Sequence, residues 1–183
     1  MTTATMERKR LVTGEANPAD KYALVPPDKH FEDADSDFLD AGDLREIAVA
    51  LIGACEEFEH LSELVVTCAW KRAGGGSGGR STLGKCVKAA GLVKYFGQVD
   101  FVVWVAADHA RDYELTNWQV EALVYHELLH AGVTDKGKPS TRGHDYEAFV
   151  PEVRRYGAWK ADLIHAAAAF RQLSLDEALG RPA

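Results

Sequence analysis

The order of patterns along the 183 residues predicts an α+β fold. A segment of helical period near residue 44 comes first, two short apolar runs rich in β-branched residues follow, and a capped helix closes the series. The first helix is read from Asp43 and Glu46, spaced like a capping box, and from Leu44, Ile47, Leu51, Cys55 and Phe58 at three- and four-residue intervals. This helix is expected to pack on a sheet. Residues 64–70 and 100–106 supply its strands, and residues 84–93 a further one with fewer β-branched positions. Gly74, Gly75, Gly76, Ser77, Gly78 and Gly79 make a flexible loop between strands. The closing helix starts at Thr116 and Gln119, a capping box, and continues through Val120, Leu123, Val124, Glu127, Leu128 and His130 as an amphipathic stripe, with Gly132 as the residue that ends it.

That helix carries His126, Glu127, Leu128, Leu129 and His130, an HExxH sequence. Residues i and i+4 stand one above the other on a helix, so both imidazoles reach one metal ion. Zinc suits them, because it takes neutral imidazole nitrogens in a tetrahedral shell. Glu127, offset by about 100° around the helix from His126, is placed to take a proton from an attacking water rather than to bind the metal. The competing reading is a pair of ordinary core histidines. Shuffling this composition would produce only about 0.02 such matches, and the capped helical context favours the metal.

A third ligand has to come from beyond the helix. A polar turn holding Asp135, Gly137 and Pro139 leads to Gly143 and His144, with thirteen residues between His130 and His144. This is enough chain to loop back. His144 is preferred over Glu147 or Glu152, which also read as solvated helix carboxylates, and the neighbouring Asp145 is suited to cap the next helix or to orient an imidazole.

The segments YHELLHAG and GHDYEAFVPEVRRYG resemble SprT-like proteases, in which HExxH is followed by a third His heading a segment with an aromatic a few residues on. They are more similar still to the phage metallopeptidase family, whose pattern extends to Gly84 and Lys85 at a strand start, to Asp100 and Phe101, and to a segment around Trp118. The similarity covers about residues 44–163, with Pro151 as a departure inside the last helix-like segment. It implies a zincin-like fold: an N-terminal helix and a small sheet packed on the HExxH helix, followed by C-terminal helices. It also implies three zinc ligands, His126, His130 and His144, with Glu127 as catalytic base, and a phage or prophage origin.

Composition sets the remaining expectations. At 46% hydrophobic the chain can bury a core, and it reads as an acidic, flexible arm over 1–40, a metallopeptidase domain over 41–172 and a short tail over 173–183. Neither a leader nor a membrane-length apolar stretch is present, which predicts a soluble protein of the bacterial cytoplasm with no membrane partner. Cys55, Cys68 and Cys86 lack CxxC spacing and read as buried thiols. Residues 1–63 hold fifteen acids against six Lys or Arg. Asp33, Asp35 and Asp37 open like a calcium loop, but Phe38 stands at the required Gly and Leu44 at the required Glu. From Lys71 to Gln98 there is no acid, while Lys71, Arg72, Arg80, Lys85, Lys88 and Lys94 are all basic. That segment reads first as a solvated hairpin, and any affinity for nucleic acid is expected to be weak.

The expected partner is a protein or peptide substrate cleaved through zinc-dependent hydrolysis, with Tyr113, Tyr146 and Tyr156 as candidate oxyanion donors. No pattern specifies an oligomeric state. Three rival readings fit parts of the chain. Gly79, Gly84 and Lys85 match a phosphate-binding loop, yet Cys86 replaces the hydroxyl residue that should hold magnesium. His144 and Asp145 match the pair of a metal-dependent phosphohydrolase, whose domains are wholly helical. A binding protein that zinc merely staples would use the same ligands.

Overall fold

Burial of apolar side chains builds the sheet. In the computed structural model, which describes residues 20–77, 80–144, 149–160 and 163, the two apolar runs become its central strands. The chain divides into two compact units, Met1–Arg142 and Gly143–Ala183.

In the first unit, β1 (Phe38–Asp40), β2 (Val66–Lys71), β5 (Gly84–Lys88) and β6 (Phe101–Ala106) form one sheet in the order β1-β2-β6-β5. β2 and β6 run parallel, Val66 opposite Phe101 and Lys71 opposite Ala106, while β1 and β5 are antiparallel edge strands. Between β2 and β5 the glycine-rich segment forms a small pair, β3 (Gly76–Ser77) and β4 (Arg80–Ser81). α2 (Gly42–Ala54) and α5 (Asn117–Leu129) pack on the sheet and on each other. Leu44, Ile47 and Leu51 of α2, Cys68 and Trp70 of β2, Val103 and Val105 of β6, and Val120, Val124 and Leu128 of α5 are all buried. Phe58 meets Tyr125 edge to face at 4.9 Å.

Several local expectations are corrected. The arm expected to lack structure contains α1 (Asp28–Asp33) and β1, because Phe31 is buried and β1 pairs with β2. Two of its acids are also held there, Glu32 by Arg72 at 2.9 Å and Asp28 by Arg111 at 2.7 Å. Residues 1–19 and the tail from 173 lie outside the described residues. Asp43 does not cap α2, whose N-cap is Ala41. Its carboxylate instead accepts hydrogen bonds from Tyr22 Oη at 2.8 Å and Trp70 Nε1 at 3.3 Å, tying helix to strand. α2 stops at Ala54, and Phe58 belongs to a 3-10 turn, Glu56–Leu61. The strand expected over 84–93 ends at Lys88. A turn through Gly91, at φ +54°, opens α3 (Gly91–Gly97) instead. The phosphate-loop reading falls with it, since Lys85 lies inside a strand and no helix starts there.

α4 (Ala107–Asp112) leads into α5. α5 keeps its expected start: Gln119 N–H donates to Thr116 Oγ1 at 3.3 Å, and Thr116 N–H donates to Gln119 Oε1 at 3.0 Å. It is not amphipathic in its last three turns, where every residue from Val120 to Leu129 is buried, Glu121 included. Gly132 is not its terminator. His130 is the C-cap, and the chain passes directly into β7 (Ala131–Val133), paired with β8 (Pro139–Thr141) in a hairpin.

In the second unit α6 (Val150–Tyr156) carries Pro151 in its first turn, where an amide N–H has no intrahelical partner and proline is tolerated. Glu152 is fully buried rather than solvated. Its carboxylate accepts hydrogen bonds from Trp159 Nε1 at 2.6 Å and from Phe149 N–H at 3.3 Å. Among the described residues no helix is long and apolar enough to cross a membrane.

Candidate metal centre

His126 lies in the last turn of α5 and His130 at its C-cap, one helical turn apart. Their rings stand 5.2 Å apart at 81°, and a ring nitrogen of one lies within 4.8 Å of a ring nitrogen of the other. His126 is 5% exposed, so its imidazole is held among packed neighbours.

The β7–β8 hairpin determines how His130 presents itself. The polar turn is closed by Thr134 and Lys138 and by Gly137, at φ +69°, and it returns the chain to the helix end. There Arg142 N–H donates to His130 O at 2.9 Å, and His130 Nδ1 lies 2.8 Å from Arg142 O. A carbonyl oxygen only accepts, so Nδ1 carries a proton, and in the neutral ring Nε2 then holds the lone pair. This is the arrangement that orients an imidazole for a metal. From the other side of the hairpin, His60 Nε2 donates to Ala131 O at 3.0 Å, which fixes β7 where it leaves the helix.

Glu127 is 4% exposed and points toward β5. A Cβ on Gly84 would stand 3.0 Å from Glu127 Oε1 and 3.2 Å from its Cγ, so any other residue would make the carboxylate or the strand give by a few tenths of an ångström. Two residues on, burial and then the Glu127 charge push the Cys86 thiol up to about 12. The two histidines and the carboxylate therefore have distinct surroundings on one helix.

His144 opens the second unit. It is exposed, and its ring stands 5.0 Å from that of Phe149. It is the third imidazole that the sequence reading assigns to the metal, beside the pair His126 and His130. Asp145, Tyr146 and Glu147 lie outside the described residues. Of the other tyrosines, Tyr113 bonds Ser81 through its hydroxyl at 2.9 Å, and Tyr156 is buried in α6. Both oxygens of Glu152 accept structural hydrogen bonds, from Phe149 N–H and Trp159 Nε1.

Two contributors escaped the sequence. Gly84 left a signal, a lone glycine in a strand, which marks close backbone approach. The Arg142 carbonyl left none, because a main-chain acceptor has no residue code.

Fold and imidazole set together define a mixed α+β protein with a candidate metal site. The chain belongs to the family described as Putative phage metallopeptidase, whose model matches residues 36–168. That description implies a metal cofactor and protein or peptide substrates, in agreement with the resemblance read from the sequence. No curated protein and no solved structure matches the chain.

Proposed function

We propose that the protein is a zinc metallopeptidase of zincin-like architecture, phage or prophage encoded, in which His126, His130 and His144 hold the zinc and Glu127 is the catalytic base. The observation that carries the proposal is the division of labour on α5. His126 and His130 face each other, with His130 Nδ1 held by the Arg142 carbonyl, while the buried Glu127 is directed at β5. His144 suits the third position because Arg142 is pinned to His130, and two further residues reach at most about 7 Å.

The donor set fits zinc, since three neutral imidazoles leave one position open for chemistry. Zinc bound there supplies Lewis acidity, which lowers the pKa of a water toward neutrality and polarises a carbonyl. Glu127 accepts the proton of the attacking water at its carboxylate and delivers it to the leaving amine. Burial holds that carboxylate in place, and Gly84 lets it approach the strand. β5 is an edge strand of the four-stranded sheet, so an extended peptide can add to it through main-chain hydrogen bonds and lie along the site.

The test is zinc content and peptide cleavage, measured on the wild type and three variants. His126→Ala and His144→Ala lose zinc to a similar degree. Glu127→Gln keeps zinc and fold, and turnover falls by roughly 10² or more. Zinc lost from Glu127→Gln contradicts the assigned base. A wild type that binds zinc but cleaves neither casein nor a peptide library is a protein stapled by its metal, and the peptidase reading ends.

A further inference from the structure

Helix α3 presents the reverse of an ordinary surface helix. Leu92, Val93, Tyr95 and Phe96 are 73%, 57%, 74% and 76% exposed, and none of the seven residues is buried. At about 100° per residue these four side chains cover an arc of roughly 160°, while Gly91, Lys94 and Gly97 occupy the opposite side. Lys94 Nζ is bound to the Asp100 carboxylate at 2.8 Å, which ties that polar side to the start of β6. The apolar arc is thereby turned to solvent, whereas a surface helix normally turns it to the core. Val65, whose N–H donates to the same carboxylate, adds a further half-exposed apolar side chain at this end of the sheet.

Lys85 and Lys88, on the strand that leads into α3, are exposed and have no carboxylate partner among the described residues, and Val87 between them is 40% exposed. The acids at this end of the sheet are Asp100, which is bonded to Lys94, and Glu63, two residues before Val65.

We infer that α3 is a membrane-surface anchor that docks the protein on a bilayer of anionic lipid. Reversible anchoring needs apolar side chains entering the headgroup boundary and cations for the lipid charge; α3 supplies the first, and Lys88, with Lys85 on the other face of the same edge strand, supplies the second. Tyr95 and Phe96, packed edge to face at 5.0 Å, are the residue types that settle at that boundary. A nucleic-acid strand would use the two rings and the lysines but gain little from Leu92 and Val93, so lipid accounts for more of the surface. Peripheral docking requires no spanning helix, and it stands whether or not the peptidase reading does. It also departs from the sequence expectation of no membrane partner, which rested on spanning segments alone.

The experiment is co-sedimentation of the full chain with vesicles of phosphatidylcholine alone and of phosphatidylcholine mixed with phosphatidylserine. The wild type is expected to bind the anionic vesicles, less so in high salt, and weakly or not at all the neutral ones. The double variant Leu92→Ser with Phe96→Ser should bind roughly tenfold more weakly or worse, and Lys85→Glu with Lys88→Glu should abolish the preference for anionic lipid. All four positions are exposed, so the fold, checked by circular dichroism, is expected to persist. Failure to sediment with anionic vesicles overturns the inference, and so does equal binding by the wild type and the apolar double variant. A concentration-dependent dimer or a single-stranded oligonucleotide complex, lost in the same variant without any vesicle binding, would assign α3 to another partner.

Discussion

Gly84 shows how much the site owes to an absent side chain. Its missing Cβ leaves room for the Glu127 carboxylate on one side and the Trp104 carbonyl, at 3.1 Å, on the other. The carboxylate can yield by changing rotamer, whereas the carbonyl, held in the neighbouring strand, yields less readily. In the peptidase reading, Gly84→Ala should therefore keep zinc and displace Glu127, lowering turnover about tenfold or more with a smaller change in KM. Steady-state kinetics with zinc analysis decides it. Undiminished turnover would mean that the carboxylate's position against β5 is immaterial. His130 makes the complementary point, since its tautomer is chosen by the carbonyl of Arg142, twelve residues away in sequence and adjacent only through the hairpin.

At the scale of elements, α5 is the part of the fold most nearly self-specified. Its capping box satisfies backbone groups at Thr116 and Gln119 before any tertiary contact is made. Thr116→Ala should cost about 1 kcal/mol, which in a chain of this size lowers Tm by roughly 2–4 °C. Thermal unfolding checks this, and an unchanged Tm would show that burial alone holds the helix. Its C-terminal end is different. Gly132 has the composition of a helix stop but pairs with Ser140 in a strand, because β8 offers it main-chain partners that an isolated helix end lacks. Similarly, residues 28–40 are acidic enough to read as disordered, and they fold because Arg72, Arg111 and the edge of β2 are waiting for them.

Across the whole molecule, the three cysteines Cys55, Cys68 and Cys86 are buried thiols outside any disulfide. Burial raises the Cys68 thiol to about 12, Arg45 pulling it slightly down, and Cys86 reaches about 12 with Glu127 adding to burial. A folded state that raises these pKa values favours the neutral thiol. The resulting stability is fully present below the ordinary value of 9.0 and is lost as pH rises from there toward about 12. Denaturant midpoints should therefore hold from pH 7 to about 8.5 and fall above it. Iodoacetamide at pH 8 should label the native protein slowly and the unfolded chain quickly. Rapid labelling of the native protein would show that these thiols are not buried in solution.

The sequence by itself determined what local patterns can carry: the class α+β, the two central strands, the first helix, the capped start of α5, and the HExxH pair at helical spacing. Each follows from periodicity or capping within a few residues of chain. Tertiary structure decided the rest: the parallel pairing of β2 with β6, the place of β5 beside Glu127, the hairpin that returns Arg142 to His130, and the outward turn of the apolar face of α3. Those features depend on contacts between residues far apart in sequence. Hydrophobic pattern says that a side chain seeks burial, but only the assembled neighbours settle whether it finds it.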